Sequence, residues 1–410
     1  MKGESLQNQD ENNGNTSPYS IVTGNGNGQH DENGNGNGNG NGNGSDSNGI
    51  GAQHEEFELL DGASGEVDEV SKEVEPLREI IMDKDSSFAE RIQAYEDIID
   101  SQVGDTTLMR ARNIEREVGI HQLFLKFEGS NPSGTQKDRI AFTQGMDALR
   151  RGFDAMTVAT CGNYGVAIAL SASLAGLKCY IYLPENYRTG RVKEMRALGA
   201  EIRKVKGDYE RAVAESSAFA QKEEIYDANP GGSNTALQFK SYGQIAYEIY
   251  DELRDAPYAV AAPVSNGTTL AGIYKGFLSL YRRGKISRMP KMVAGSSFKK
   301  NPIIHAYMNN LETCRDLEAT KIRETKINEP LINWHSIDGD VVLEAIRETN
   351  GWAGYASDKK MMSFAKMVRE LEGLSVVPAS TAGLIAMLSR HKKEPLQNDR
   401  YVVILTGRNS

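Results

Sequence analysis

An α/β fold with largely parallel sheets is predicted for this 410-residue chain by two observations. Strand-like and helix-like segments alternate from Ser86 onward, the pattern of strands joined by crossover helices. The composition, 39% hydrophobic and 25% charged, suffices for one large or two ordinary cores. A third observation bears on chemistry. Asn131-Pro-Ser-Gly-Thr-Gln-Lys-Asp-Arg139 is a turn-forming run that delivers Lys137 to the start of an apolar-periodic helix.

Residues 1–74 fall outside the alternation. Asn33 to Gly44 is an Asn-Gly repeat in an acidic, apolar-poor setting, which cannot offset its ordering entropy by burial, so a disordered tail is expected there. The tail has no apolar core for a secretory signal and almost no arginine, and no run of about eighteen apolar residues occurs anywhere, so no membrane span is expected. Formal charge is 47 − 56 = −9 without a basic stripe, which argues against nucleic acid as a partner. Cys161, Cys179 and Cys314 lack metal-ligand spacing, so no metal site is expected, and their odd number fits a reducing cytoplasm.

His121–Glu128 reads as the strand before the Lys137 turn, and Ile140, Ala141, Met146 and Leu149 continue it at helical spacing. Further strands are expected at Ala155–Thr160, Lys178–Pro184, Glu201–Lys206, Ile225–Ala228, Tyr258–Val264, Met292–Ser297 and Tyr401–Thr406. Helices are expected at Val166–Leu174, Tyr209–Gln221, Leu237–Leu253, Met361–Leu371 and Ala382–Leu388. Ligands of such sheets bind at the carboxyl ends of strands. A lysine at a strand-to-helix elbow has its ammonium disfavoured by the helix N-terminus, and a neutral amine can form a Schiff base.

Three further loops sit at strand ends. Thr160-Cys-Gly-Asn-Tyr-Gly165 lets backbone N–H groups approach a carboxylate, and Asn163 adds a side-chain amide. Val264-Ser-Asn-Gly-Thr-Thr-Leu-Ala-Gly272 presents donors from Ser265, Asn266, Gly267, Thr268 and Thr269 at a helix start, as a phosphate monoester requires. Leu405-Thr-Gly-Arg-Asn409 places the Thr406 hydroxyl after the last strand. Taken singly, each is equally an ordinary glycine-containing turn.

Together and in this order, the motifs from about Val103 to Ser410 resemble the threonine synthase branch of the fold-type II enzymes that use pyridoxal 5′-phosphate (PLP), the tryptophan synthase β-like superfamily. Val103-Gly-Asp-Thr-Thr-Leu108 is similar to the family's opening motif, with Thr107 where proline is usual, and Pro378-Ala-Ser-Thr-Ala-Gly383 resembles a segment beside the active site. The resemblance implies that Lys137 forms the Schiff base with PLP and is the catalytic residue. Asn163 would meet the cofactor's phenolic oxygen, Ser265–Thr269 its phosphate, and Thr406 its pyridine nitrogen. Thr160, Cys161, Gly162 and Tyr164 would form the substrate-binding turn, with Cys161 and Tyr164 standing where these relatives usually carry serine and threonine.

It further implies two domains with the cofactor between them: a larger PLP-binding domain of residues 75–140 and 255–410, and a smaller mobile domain of residues 141–254. A homodimer acting on a small amino-acid substrate is expected. The implied reaction converts O-phosphohomoserine and water to threonine and phosphate in amino-acid biosynthesis. The alternative is β-elimination or β-replacement on serine, threonine or O-phosphoserine, as dehydratases and cysteine or cysteate synthases perform.

Overall fold

The computed structural model describes residues 69–160, 162–187 and 190–409. Most of the expected disordered tail lies outside the described residues, but its last part does not. Residues 69–73 are helical, and Val74 is buried beside the helix Glu75–Met82, so order begins before residue 75. The apolar residues Val74, Leu77 and Ile81 face the core at helical spacing, which offsets the ordering cost. Helix Phe88–Gln102 follows, opened by a capping box in which Ser87 and Glu90 exchange hydrogen bonds.

Two sheets form the frame. The larger contains β1 (Leu108–Arg110), β2 (Leu123–Phe127), β7 (Ala259–Pro263), β8 (Lys291–Ser297), β9 (Trp352–Ala356) and β10 (Tyr401–Leu405), in the order β1-β2-β10-β7-β8-β9. Only β1 runs antiparallel, against β2. The smaller sheet contains β3 (Ala155–Ala159), β4 (Lys178–Pro184), β5 (Glu201–Val205) and β6 (Tyr226–Asp227), in the parallel order β5-β4-β3-β6. Every residue of β3, β7 and β10 is buried, as expected of parallel strands covered by helices on both faces.

Each expected strand is present within one or two residues, whereas β1 and β9 went unanticipated. β1 is three residues long with no buried position, and β9 contains Gly354 and two half-buried positions, so neither carries a strong apolar run. The helix expected from Val166 begins at Asn163, which places Asn163 and Tyr164 in its first turn. The helix Lys137–Arg150 starts at the lysine itself and spans the boundary expected between residues 140 and 141.

Helix Thr268–Arg282 is packed almost backbone to backbone on helix Thr235–Leu253. A Cβ at Gly276 would come within 2.5 Å of the Gly243 carbonyl oxygen, and one at Gly272 within 2.5 Å of the Tyr242 Cβ. Glycine at these positions lets the two helices seat together and fixes the helix whose N-terminus faces the site.

Candidate active site

The strand order explains why distant motifs meet. β2, β10 and β7 are neighbours, so their carboxyl ends release the Lys137 turn, Thr406 and the Ser265–Thr269 loop side by side. β3 of the smaller sheet supplies Thr160, Gly162, Asn163 and Tyr164. Lys137, Thr160, Gly162, Asn163, Tyr164, Ser265, Asn266, Gly267, Thr268, Thr269 and Thr406 all line one cavity of about 670 Å³. Cys161 lies outside the described residues.

Lys137 is held by its turn on one side and by the C-terminal strand on the other. The Gln136 N–H donates to the Thr406 carbonyl at 3.0 Å, the Arg408 N–H to the Gly134 carbonyl at 2.9 Å, and the Lys137 N–H to Thr135 Oγ1 at 3.2 Å. The residue is half-buried, but its ammonium lies deep enough that burial pushes it down to about 8. The expected depression is therefore present, with desolvation rather than the helix terminus as its cause. The Lys137 Nζ stands 5.7 Å from the centroid of the Tyr164 ring.

Two residues further on, Arg139 faces the opposite way. Its guanidinium donates to Glu128 at 2.6 and 2.9 Å and to Glu248 at 2.6 and 2.8 Å, while Lys126 meets Glu248 at 2.6 Å. This buried network ties the lysine helix to β2 and to helix Thr235–Leu253. It removes Arg139 from the set of cations available to a substrate.

The Ser265–Thr269 loop is turned so that its carbonyls are used from behind. Ser296 donates to the Val264 carbonyl at 2.6 Å, Asn301 and Ser336 to that of Ser265 at 2.9 and 3.0 Å, and the Asp338 N–H to that of Asn266 at 3.0 Å. Gly267 adopts φ +96, where a Cβ would meet Val342 at 2.9 Å. Among the described residues, no protein acceptor takes the N–H groups of Gly267, Thr268 or Thr269. The Asn266 carboxamide oxygen accepts from the Asn333 side chain, which orients the Asn266 amide with its NH2 group as the remaining donor end. Thr406 is fixed through its backbone, with its N–H donating to Ser380 Oγ at 2.7 Å.

Free N–H donors at a helix start, a lysine neutral near pH 8, and an open space at Gly162, where a Cβ would meet no atom within 4 Å, fit a phosphorylated aldehyde cofactor.

Tyr164 uses its hydroxyl away from any ligand. It donates to the Ala228 carbonyl at 2.8 Å and accepts from the Gln144 side-chain amide, so it is the ring that borders the cavity. Tyr164→Phe should therefore leave relative substrate preference unchanged while costing about 1–3 kcal/mol of stability through the orphaned Ala228 carbonyl. Tyr164→Thr, which removes the ring from the cavity wall, should change the kcat/KM ratio between larger and smaller substrates by about tenfold or more. Urea denaturation and paired kinetics check both outcomes.

Several lining residues lie outside the motifs read from sequence. Tyr187, Arg191, Glu210, Glu324, Glu329 and Trp334 border the same cavity. Tyr187 donates to Glu329 at 2.9 Å, and Arg191 pairs with Glu194 at 2.8 Å. Residues 319–334 have no regular apolar spacing, so only tertiary contact reveals their position. The paired aromatic and carboxamide Asn333-Trp334 is the single local signal they carry.

Comparison with known proteins follows the same lines. The family model described as "Pyridoxal-phosphate dependent enzyme" matches residues 99–407. A threonine synthase of Methanocaldococcus jannaschii is 31% identical over 309 residues, covering 74% of each chain. The fold is shared with serine racemase from Dictyostelium discoideum, at TM-score 0.64 and 17% identity over 78% of this chain and 97% of that one. It is also shared with the processed form of threonine deaminase isoform 2 from Solanum lycopersicum, at TM-score 0.64 and 16% identity over 78% of this chain and 90% of that one. Among the described residues no helix is long and apolar enough to cross a membrane. With the site geometry and a family match across three quarters of its length, this chain belongs to the pyridoxal-phosphate dependent enzyme family, with PLP as its cofactor.

Proposed function

We propose that this enzyme is a lyase that converts O-phosphohomoserine and water to threonine and phosphate. The observation that carries the reading is the likeness to threonine synthases, 31% identical over 309 residues in the methanogen protein and 27% over 323 residues in that of Methanosarcina acetivorans. PLP, when bound, supplies the electron sink that makes the substrate's Cα and Cβ protons labile. In this reading Lys137 holds the cofactor covalently until substrate amine displaces it, and then carries protons to and from Cα and Cβ as general base and acid. Phosphate leaves from Cγ and water adds at Cβ.

Ser265–Thr269 hold the cofactor phosphate, Asn163 donates to the phenolic oxygen, and the Thr406 hydroxyl meets the pyridine nitrogen. Thr160, Cys161, Gly162 and Tyr164 frame the substrate carboxylate. We assign residues 141–254 the part of the smaller, mobile domain that closes over bound substrate, and expect a cytoplasmic homodimer. The free Cys179 and Cys314 thiols support that compartment.

One observation favours the unphosphorylated branch of a second reading, β-elimination or β-replacement on serine or threonine rather than on O-phosphoserine. Among the described lining residues, Glu210, Glu324 and Glu329 outnumber the cations Lys137 and Arg191, a poor balance for a phosphate leaving group. Burial raises the Glu210 and Glu329 carboxyls, which softens the imbalance. Full-length enzyme assayed with phosphohomoserine, phosphoserine, serine and threonine, each with and without sulfide or sulfite as the incoming nucleophile, separates the two readings. Equimolar phosphate and threonine from phosphohomoserine is the expected result. A 2-oxo acid with ammonia, or a β-substituted amino acid, from the shorter substrates alone would replace the first reading with the second.

A further inference from the structure

Behind the Ser265–Thr269 loop stands an acid that the proposed chemistry does not use. Asp338 is 5% exposed and precedes the helix Gly339–Glu348 without capping it. Its carboxylate Oδ2 accepts from Thr268 Oγ1 at 2.6 Å, and its backbone N–H donates to the Asn266 carbonyl at 3.0 Å. Thr268 also lines the cavity, so a single hydroxyl stands between a buried carboxylate and the space where the loop's free N–H groups converge.

A threonine hydroxyl has one proton to donate. While Asp338 is ionised, that proton is committed to the carboxylate, and Thr268 presents only lone pairs to an anion. Once Asp338 is protonated, the acid can donate to Thr268 Oγ1, and the hydroxyl proton becomes free for a phosphate oxygen. An ionised carboxylate one hydroxyl away from a phosphate is also repulsive in a site removed from water.

We infer that Asp338 is a positioning residue whose protonation switches the Thr268 hydroxyl from serving the protein to serving the cofactor phosphate, so that phosphate binding and proton uptake at Asp338 are linked. The inference rests on reading Ser265–Thr269 as the phosphate loop.

Among the described residues, none around this acid supplies it with a counter-charge. On its own turn, Asp340 accepts from the Cys314 N–H at 2.6 Å, and His335 pairs with Asp316 at 2.8 Å. The Cys314 thiol, packed against Gly339, is pushed up to about 12 by burial and by Asp340, and stays neutral. The loop Val264–Leu270 contains no titratable side chain. On the packed helices, Tyr274 is engaged with Glu348, and His305 with Asn309. Burial accordingly raises the Asp338 carboxyl above its ordinary value, and the Thr268 bond offsets part of that rise.

By linkage, PLP affinity should fall as pH rises above the Asp338 pKa of the unliganded site, by up to about tenfold per pH unit for one linked proton. Equilibrium dialysis of full-length holoenzyme between pH 6 and 9 measures retained PLP for wild type, Asp338→Asn and Thr268→Val. Asparagine can donate to Thr268 as the protonated acid does, so the advantage of Asp338→Asn over wild type in retained PLP should widen with rising pH, reaching about tenfold or more at pH 9.

Thr268→Val should bind PLP more weakly throughout and lose the part of the pH dependence that runs through the hydroxyl, which keeps the test alive should Asp338→Asn not fold. A Thr268→Val protein with wild-type PLP affinity would overturn the inference, since valine leaves the loop's N–H groups in place, whereas PLP retention that added inorganic phosphate does not reduce would overturn the phosphate-loop reading beneath it. Weakened affinity in Thr268→Val with wild-type pH slopes in both variants would overturn the inference alone and leave the loop assignment standing.

Discussion

Lys137→Ala should lower kcat by at least about 10³-fold, because one side chain is assigned both the covalent hold on the cofactor and the proton transfers. Borohydride treatment of wild type should abolish the visible absorbance of the lysine-linked cofactor and leave the label on Lys137. Recovery of the label on another lysine would overturn the assignment. The variant should still retain PLP through the Ser265–Thr269 loop, which shares no hydrogen bond with Lys137.

The pH behaviour of the same residue is determined by its burial. Lys137 is pushed down to about 8, so about one amine in ten is neutral at pH 7 and one in two at pH 8. Only the neutral amine attacks a carbonyl. The rate at which added PLP becomes borohydride-trappable in the cofactor-stripped full chain should therefore rise with pH through a midpoint near 8. A midpoint above 10 would mean that the lysine is solvated like any surface ammonium.

Much of the candidate site was legible because the residues that line its cavity are local in sequence. A loop at a strand's carboxyl end keeps its turn residues and its donors within a few positions, as Thr160–Gly165 and Val264–Thr269 do, and parallel topology then gathers such ends together. What was illegible depends on contacts between distant segments. The direction of the Tyr164 hydroxyl is decided by Gln144, 20 positions away, and by Ala228, 64 positions away, so sequence alone does not show which part of this side chain borders the cavity. Asp338 stands 70 residues after Thr268, in a segment with no motif of its own. Sequence shows how near Arg139 stands to Lys137 but not that it points the other way, into a network with Glu128 and Glu248.

That orientation of Arg139 leads to the largest expected effect on stability. Its guanidinium is the shared partner of Glu128 and Glu248, both removed from solvent to a large degree, with side-chain exposures of 0% and 13%. Taking away one member of a buried ionic network strands the others in a low-dielectric interior. Arg139→Met should therefore cost about 3–5 kcal/mol at pH 7, far more than loss of an exposed pair such as Lys222–Glu223.

The pH dependence has a definite sign. Burial raises the Glu248 carboxyl, but hydrogen bonding and charge from Arg139, aided by Lys126, override it and hold the group at about 2. A carboxyl depressed in the folded state contributes stability that is fully present above its unfolded value, near 4.5, and is lost as pH falls towards 2. The stability gap between wild type and Arg139→Met, measured by urea denaturation, should be largest at neutral pH and narrow between pH 4.5 and pH 2. An unchanged gap across that window would mean that Arg139 contributes through packing of its stem rather than through its charge.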